Sequence, residues 1–277
     1  MLTPTQVTTY ADQFLEARAK STTLRPFPAN AKISIADAYQ IAREIQAKRI
    51  AAGEEQVGRK IGFANHALWN KYGRNAPIHE LIWTPLFSST IRFMDQTHGV
   101  QSLAGALQPR LAPELIFKIG QTPSPDATVE EIADSLEWMA HGFEIVVCPF
   151  PKWEFNIADA IAAFALHGAF LIGEPHQLAS TSRHNLGSIL ANTSVSLSCD
   201  STLLSAGFGS DFIESPLHAI WHLQQLLKDQ PDTPTLQAGE IISTGTWTDL
   251  TPVKSGQTWS SAFSGASLAG LSVSFID

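Results

Sequence analysis

The stretch LAPELIFKIG, residues 111–120, is an apolar run with a single carboxylate, Glu114, near its centre. The apolar neighbours Leu115, Ile116 and Phe117 indicate a largely buried strand. An ionised carboxylate without a partner would cost several kcal/mol or more in such a place. We therefore expect a positively charged group to face Glu114.

Two further charged side chains stand in strand-like apolar segments: Lys60 in VGRKIGF, residues 57–63, and Glu144 in GFEIVV, residues 142–147. One hypothesis is an internal Lys–Glu pair with the second glutamate exposed. The other is that Glu114 and Glu144 bind a hard divalent cation through oxygen ligands, with Lys60 beside it as an acid or a base. Spacing alone leaves both hypotheses open.

The rest of the chain mixes helical patterns with short apolar runs. Helices are predicted over 4–20, 34–52, from Asp126 or Thr128 to His141, over 156–167 and over 216–227. Strands are predicted near 57–63, 85–93, 111–119, 142–148, 194–199, 240–244 and 271–276. This mixture predicts an α+β fold, with a helical section over residues 1–55 packed on a β-rich domain over 56–277.

Composition narrows the expected partners. The 277-residue chain has 18 Lys and Arg against 26 Asp and Glu, a net charge of −8 without a basic cluster, so nucleic acid is not expected to bind. Its two cysteines, Cys148 and Cys199, fit no metal or disulfide spacing, which predicts a reducing, cytoplasmic location. No signal peptide or membrane-spanning run is recognised, so we expect a soluble protein without a membrane partner. Small molecules and other subunits remain as expected partners.

Two histidines stand beside these candidate residues. His141 and His167 each precede a glycine at the end of a predicted helix, where an imidazole can interact with exposed backbone carbonyls. That structural role is sufficient for either residue. His141 also leads directly into the strand that carries Glu144, which predicts that it lies near any site built on that strand.

Five segments in this order resemble the fumarylacetoacetate hydrolase superfamily, specifically its 2-keto-4-pentenoate hydratase branch. They are VGRKIGFANHALWNKYG, PELIF, EWMAHGFEIVVCPFPKWEF, ADAIAAFALHGAFLIG and LQAGEIISTGTWTDLTPVKSGQTW. The resemblance implies a mixed β-roll with an N-terminal helical section, assembly into homo-oligomers, and Mg²⁺ or Mn²⁺ held by carboxylates. It also implies a metal-assisted lyase that hydrates a 2-hydroxydienoate, a small 2-oxo acid in its enol form.

The resemblance assigns roles to particular residues. Lys60 matches the lysine of the G-x-K-I-G motif and would move a proton or hold an enolate oxygen. Glu114 and Glu144 match two of three metal carboxylates. The turn formed by Thr244, Gly245 and Thr246 matches the one that receives the substrate carboxylate, and His141 and His167 accompany the site in this branch.

The chain also departs from the family pattern. Ala112 stands at the first position of the metal-binding Glu-x-Glu, and strand alternation puts residue 112 on the same face as Glu114. Ile78 replaces the aspartate of a Pro-Asp-Phe/Tyr-Gly motif, and Ala163 replaces that of Ala-Asp-Asn. Because Mg²⁺ can be held by one or two carboxylates with water and substrate oxygens, we expect a weakened metal site.

Three functional hypotheses follow. The first is the hydratase-like lyase, carried by Lys60, Glu114, Glu144 and the turn at 244–246. The second is another reaction of the same superfamily, either decarboxylation of a 2-oxo dicarboxylate or hydrolysis of a carbon–carbon bond with His79 or His167 as base. The third is a non-catalytic binding or assembly subunit that has lost part of the metal site.

Overall fold

Two long helices precede the first strand, and shorter helices stand between later strands. The computed structural model describes residues 1–69, 80–230 and 233–277. Its helices are α1 Pro4–Lys20, α2 Ile35–Ala51, α3 Val129–Ser135, α4 Ile157–Ala162, α5 Ser180–Arg183, α6 Leu186–Ala191 and α7 Pro216–Lys228. Its strands are β1 Gln56–Gly62, β2 Ile82–Phe87, β3 Ile91–Phe93, β4 His98–Ser102, β5 Arg110–Ile119, β6 Leu136–Val146, β7 His167–Ile172, β8 His176–Gln177, β9 Ser194–Cys199, β10 Thr202–Phe208, β11 Ile241–Ser243, β12 Thr251–Pro252, β13 Thr258–Ser264 and β14 Leu271–Ile276.

The strands form two sheets. The larger sheet has the order β2-β1-β11-β5-β6-β7-β3, with β12 paired to β5 and β8 paired to β6. It is mixed, because β1 pairs with β11 and β3 with β7 in parallel, whereas its other pairs are antiparallel. The smaller sheet has the order β10-β9-β13-β14-β4. This arrangement agrees with the predicted α+β class and mixed β-roll.

The register between β5 and β6 positions the candidate carboxylates. Ala112 lies opposite Glu144, and Glu114 lies opposite Gly142. Because side chains two residues apart on a strand share a face, the two glutamates are diagonal neighbours on one face of the sheet. Position 112, where the family pattern has a third carboxylate, is the direct cross-strand partner of Glu144.

The helical section packs on the same core as the strands. Ala11 and Phe14 of α1 and Ile41 of α2 belong to one buried cluster with Ile61 of β1 and Ile161 of α4. The division at residue 55 stays a prediction, since the two parts share this core. No helix within the described ranges combines the length and apolar character needed to cross a bilayer.

The helix predicted to reach His141 is much shorter. Thr128 does cap it, with its side chain accepting from the backbone N–H of Glu131, but α3 ends at Ser135. Strand β6 follows at once and runs along β5 from Arg110 to Ile119. Because β6 is buried on both faces, its sequence lacks the alternation that would have marked it as a strand. The predicted place of His141 at a helix end is therefore wrong.

The helix predicted over 156–167 is also shorter. Asn156 caps α4, which ends at Ala162. The next residues include three consecutive non-glycine residues in left-handed backbone conformation, Phe164, Ala165 and Leu166, with φ of 59°, 49° and 60°. A left-handed conformation costs an L-residue about 1 kcal/mol or more, so these residues end the helix. His167 then begins β7 and does not cap a helix.

Candidate functional site

Three strands bring Lys60, Glu114 and Glu144 into one pocket, as the sequence predicts. The side chains come from β1, β5 and β6 and are at most 4% exposed. The pocket encloses a cavity of about 50 Å³. We call it the Lys60 pocket; it is lined by Lys60, Ile61, Gly62, Phe63, Ala64, Asn65, Leu68, Glu114, Glu144, Val146, Ala165, Leu166, Gly245, Thr246 and Leu250.

Glu144 is held by two partners on the same oxygen. Lys60 Nζ lies 2.8 Å from Glu144 Oε1, and His167 Nδ1 lies 2.7 Å from it. Lys60 also donates to the backbone oxygen of Ala165 at 2.8 Å. Burial alone would raise the pKa of Glu144, but the charge of Lys60 and the hydrogen bond from His167 outweigh burial and hold this pKa below its usual value. Glu144 is therefore the ionised member of the carboxylate pair.

Glu114 is in a different protonation state. Its Oε2 accepts from Ser243 Oγ in a short hydrogen bond and from the backbone N–H of Gly245 at 3.1 Å. Burial, and next the negative charge of Glu144, raise the pKa of Glu114 well above its usual value, even though Lys60 and Ser243 oppose the shift. The pocket thus holds one lysine cation, one carboxylate and one carboxylic acid.

His167 lies in the second layer of the same pocket. Burial lowers the pKa of His167 to about 4, so the ring is neutral near pH 7. Since the ionised Glu144 only accepts hydrogen bonds, the ring hydrogen sits on Nδ1, and Nε2 lies 3.0 Å from Thr90 Oγ1. His167 therefore orients Glu144 and is not a cation at neutral pH.

The turn at 244–246 reaches the pocket with two of its three residues. Gly245 has a φ of +93°, a left-handed conformation that favours glycine, and points its N–H at Glu114. Thr246 lines the pocket, and its hydroxyl donates to the backbone oxygen of Thr248 at 2.8 Å. Thr244 is turned away, since its hydroxyl donates to the backbone oxygen of Leu115 at 3.1 Å. The structure therefore does not bring the Thr244 side chain to the pocket.

His141 is not brought to the pocket either. It is an odd-numbered residue of β6, so its side chain leaves the sheet on the face opposite Glu144. Its Nδ1 lies 3.1 Å from the backbone oxygen of Ala269, and its Nε2 lies 2.9 Å from Ser261 Oγ. The ring packs edge-on against Phe263 at 4.7 Å between centroids. These contacts join β6 to the smaller sheet, so we place His141 outside the proposed site.

The burial of His141 leads to a stability prediction. Burial lowers the pKa of His141 from 6.5 to about 4, so the unfolded chain binds this proton more readily than the folded one. The free energy of unfolding should therefore fall as the pH is lowered from about 6.5 to about 4, by about 3 kcal/mol for this group. Urea unfolding measures the free energy of unfolding across this pH range. His141→Gln should lose less of it than the wild-type protein, whereas the exposed control His184→Gln should lose as much as the wild type. If the free energy of unfolding changed equally with pH in all three proteins, His141 would not be the source of the pH dependence.

The donor set suits a divalent cation, though with fewer ligands than the family pattern. Glu114 Oε1 and Glu144 Oε2 are the carboxylate oxygens that Lys60, His167, Ser243 and Gly245 leave uncontacted. Within the part of the chain that the structure describes, no group of three or more His, Cys, Asp or Glu is arranged to hold a metal. Two carboxylate oxygens plus water or substrate oxygens can hold Mg²⁺, so these residues fit a weak site.

Several participants were not predicted from the sequence. Ser243 and Thr90 have side chains common in any strand or loop, and the backbone oxygen of Ala165 leaves no sequence signature. Ser243 could have been noticed, since it directly precedes the turn at 244–246. Ile78 and His79, which entered the family comparison and the hydrolase hypothesis, lie outside the described residues.

Curated relatives align with most of the chain, although no protein-family model matches it. The 2-hydroxyhexa-2,4-dienoate hydratase of Comamonas testosteroni is 27% identical over 252 residues, which cover 90% of this chain and 90% of the relative. A 4-oxalocrotonate decarboxylase of a Pseudomonas species is 27% identical over 224 residues, which cover 81% of each chain. These names agree with the predicted hydratase-like lyase and with one of its alternatives.

Solved structures share the fold. A 4-oxalocrotonate decarboxylase from Pseudomonas putida G7, complexed with magnesium and adipate, superposes with a TM-score of 0.87 at 20% identity, covering 100% of this chain and 99% of its own. A putative fumarylacetoacetate hydrolase family protein from Yersinia pestis CO92 superposes with a TM-score of 0.57 at 17% identity, covering 79% of this chain and 94% of its own. The relatives confirm the resemblance to the hydratase-like branch, and the solved structures confirm the predicted fold.

Proposed function

We propose that this protein is a metal-assisted hydro-lyase that adds water to a small 2-hydroxydienoate, as 2-keto-4-pentenoate hydratases do. The observation that carries the proposal is the convergence of Lys60, Glu114 and Glu144 in one buried pocket. The hydratase relatives support it, since they align with 90% of the chain in the first case. A small-molecule substrate suits a pocket of this size.

The cation would be Mg²⁺ or Mn²⁺, with Glu114 and Glu144 as its protein ligands. When bound, it would act as a Lewis acid that withdraws electrons from the 2-oxo group of the substrate. Glu114 must lose its proton to become a ligand, so metal binding and protonation compete at this residue. The apparent affinity for the metal should therefore rise with pH.

The other residues of the pocket have separate tasks. Lys60 Nζ carries donatable protons and lies beside Glu144, so it is placed to give a proton to the substrate carbon or to stabilise an enolate oxygen. Thr246 and Gly245 also line the pocket, where they would receive the substrate carboxylate. His167 holds the orientation of Glu144 through its Nδ1–H. The apolar walls formed by Phe63, Leu166 and neighbouring residues keep the bulk of solvent out.

Hydration can be tested directly by absorbance. The purified protein with Mg²⁺ should remove the ultraviolet absorbance of 2-hydroxypenta-2,4-dienoate, yield a 4-hydroxy-2-oxo acid, and stop when EDTA is added. Intact product of unchanged carbon number is the expected result, because hydration breaks no carbon–carbon bond. Absence of turnover with either metal, while the protein still binds 2-oxo acids, would instead support the non-catalytic binding subunit, for which the loss of a carboxylate at Ala112 is the motivating observation.

A second candidate reaction is decarboxylation of a 2-oxo dicarboxylate, favoured by the decarboxylase relative that is 27% identical. It uses the same Lewis-acid polarisation but releases CO₂. Headspace CO₂ from 2-oxohex-3-enedioate, in the absence of dienoate hydration, would identify this reaction. Products with a cleaved carbon chain and no CO₂ would identify the hydrolase alternative.

Two broader expectations stay with this proposal. We propose a cytoplasmic location, supported by two buried, unpaired cysteines, Cys148 and Cys199. We also propose a homo-oligomer, as the superfamily resemblance implies. Light scattering of the purified protein would measure its subunit number.

A further inference from the structure

A second and larger cavity lies between α1 and the sheet. It has a volume of about 310 Å³, against about 50 Å³ for the Lys60 pocket, and shares no lining residue with it. Its walls are mostly apolar and include Phe14, Leu107, Val147 and Phe164. The charged residue among them is Arg18, so we call this space the Arg18 cavity. Ala104 and Gly105, which are exposed, form its rim.

The guanidinium of Arg18 is the positive charge of this cavity. It donates from Nη1 to the backbone oxygen of His167 at 2.6 Å and from Nη2 to that of Gly168 at 3.1 Å. These bonds use two of the five N–H groups of a guanidinium. No acidic side chain in the described ranges lies within ion-pair distance of it. The remaining donors are therefore available to a ligand.

The surroundings of Arg18 favour the binding of an anion beside it. Burial and the neighbouring charge of Arg49 lower the pKa of Arg18 to about 10, so it stays protonated at neutral pH. Glu54 could partly compensate, but it forms a two-pronged pair with Arg49, at 2.6 and 2.5 Å. Both guanidiniums lie over the ring of Phe164, at 4.7 and 5.5 Å from its centre. A partly buried cation with apolar walls suits an anion that carries an apolar body.

We propose that the Arg18 cavity is a second binding site, which takes a small carboxylic acid with an apolar or aromatic body. The carboxylate would pair with the guanidinium of Arg18, and the body would lie against Phe14, Leu107 and Phe164. Ser21 and Gln101, which also line the cavity, offer neutral hydrogen-bonding groups. Nothing in the proposed hydration requires this site.

The two sites share a wall. Phe164 lines the Arg18 cavity, whereas Ala165 and Leu166 line the Lys60 pocket. All three have left-handed backbone conformations, and Ala165 supplies the oxygen that accepts from Lys60 Nζ at 2.8 Å. A ligand that moves Phe164 therefore moves a hydrogen-bond partner of Lys60. Occupation of the second site should change turnover, and this consequence, unlike binding itself, rests on the proposed function.

Calorimetric titration of the full chain with benzoate tests the proposal. Benzoate should bind at one site with a Kd of about 1 mM or tighter, and its neutral analogue benzamide at least about tenfold more weakly. Arg18→Gln should weaken benzoate binding by at least about tenfold. Arg25→Gln removes a nearby exposed charge that is not in the cavity wall and should leave binding unchanged.

Two more variants keep the test decisive. If Arg18→Gln does not fold, Ala104→Trp at the rim should block benzoate while keeping the guanidinium. Lys60→Met should retain benzoate binding, because Lys60 does not line the Arg18 cavity. Absence of saturable binding, or binding lost in Lys60→Met but kept in Arg18→Gln and Ala104→Trp, would overturn the proposal. With an active enzyme, benzoate should change kcat and leave KM unaltered; binding without this change would contradict only the link between the sites.

Discussion

Replacing Lys60 with methionine should lower kcat for dienoate hydration by about 10²- to 10⁴-fold, the usual contribution of a positioned acid or base. Methionine keeps most of the length and apolar body of lysine but has no proton to give. The substrate must receive a proton on carbon, and Lys60 Nζ is the cationic donor that lines the pocket. Loss of dienol absorbance under saturating substrate and Mg²⁺ measures the effect.

Lys118→Met is the matched control for this substitution. Lys118 lies on β5, but its side chain is 34% exposed, lies 4.0 Å from Glu137 and does not line the pocket. It should keep wild-type kcat. Because Lys60→Met leaves Glu144 without its cation, circular dichroism should first establish that the variant is folded at the assay temperature. A folded Lys60→Met protein with wild-type kcat would exclude Lys60 from the chemistry.

Replacing Glu144 or Glu114 with glutamine should change the free energy of unfolding by very different amounts. Glu144→Gln is expected to lower the free energy of unfolding of the metal-free protein by about 3–5 kcal/mol, because it leaves Lys60 buried without its anion. Glu114→Gln is expected to change it by less than about 1 kcal/mol, because burial and Glu144 already keep Glu114 protonated. The amide of glutamine reproduces both the acceptor for Ser243 and the donor of the neutral acid.

Urea unfolding with EDTA measures these two values, and each variant serves as the control for the other. Repeating the measurement with Mg²⁺ separates the effect of the lost charge on stability from the effect of the lost metal ligand. The wild-type protein should gain stability with increasing Mg²⁺, whereas both variants should lose that gain, since each lacks one ligand. Equal destabilisation by the two substitutions in EDTA would show that Glu114 is ionised. A full Mg²⁺ response in either variant would remove that residue from the metal site.

Charge inside an apolar strand is unusual and marks the candidate residues, but only the superfamily resemblance predicts that they share one site. Lys60, Glu114 and Glu144 each stand in such a segment, and the structure brings the three together. The prediction of strands over 57–63 and 111–119 also succeeds, since both segments are short and the second is an apolar run bounded by Arg110 and Gly120. Local composition is sufficient to predict a strand when its residues differ this clearly from those of the adjoining segments.

Other features depend on partners that are distant in the sequence. The segment EWMAHGFEIVV is apolar on both faces, so only pairing with β5 makes it a strand and turns His141 away from Glu144. The sequence alone does not identify Arg18 as a candidate binding residue, because its hydrogen bond to the backbone of His167 spans 149 residues. The left-handed residues 164–166 likewise carry no composition that distinguishes them from a continuing helix.

The pairing of β5 with β6 also determines which changes in chain length the protein can tolerate. A single residue inserted or deleted between Ala112 and Glu114, or between Gly142 and Glu144, would send one carboxylate to the far side of the sheet. Residues 120–128, which join β5 to α3, carry no such restriction, because neither carboxylate depends on their number. The protein should tolerate a longer segment at 120–128. A register shift of one residue within β5 or β6 should instead abolish the Lys60 pocket, although all of its residues are still present.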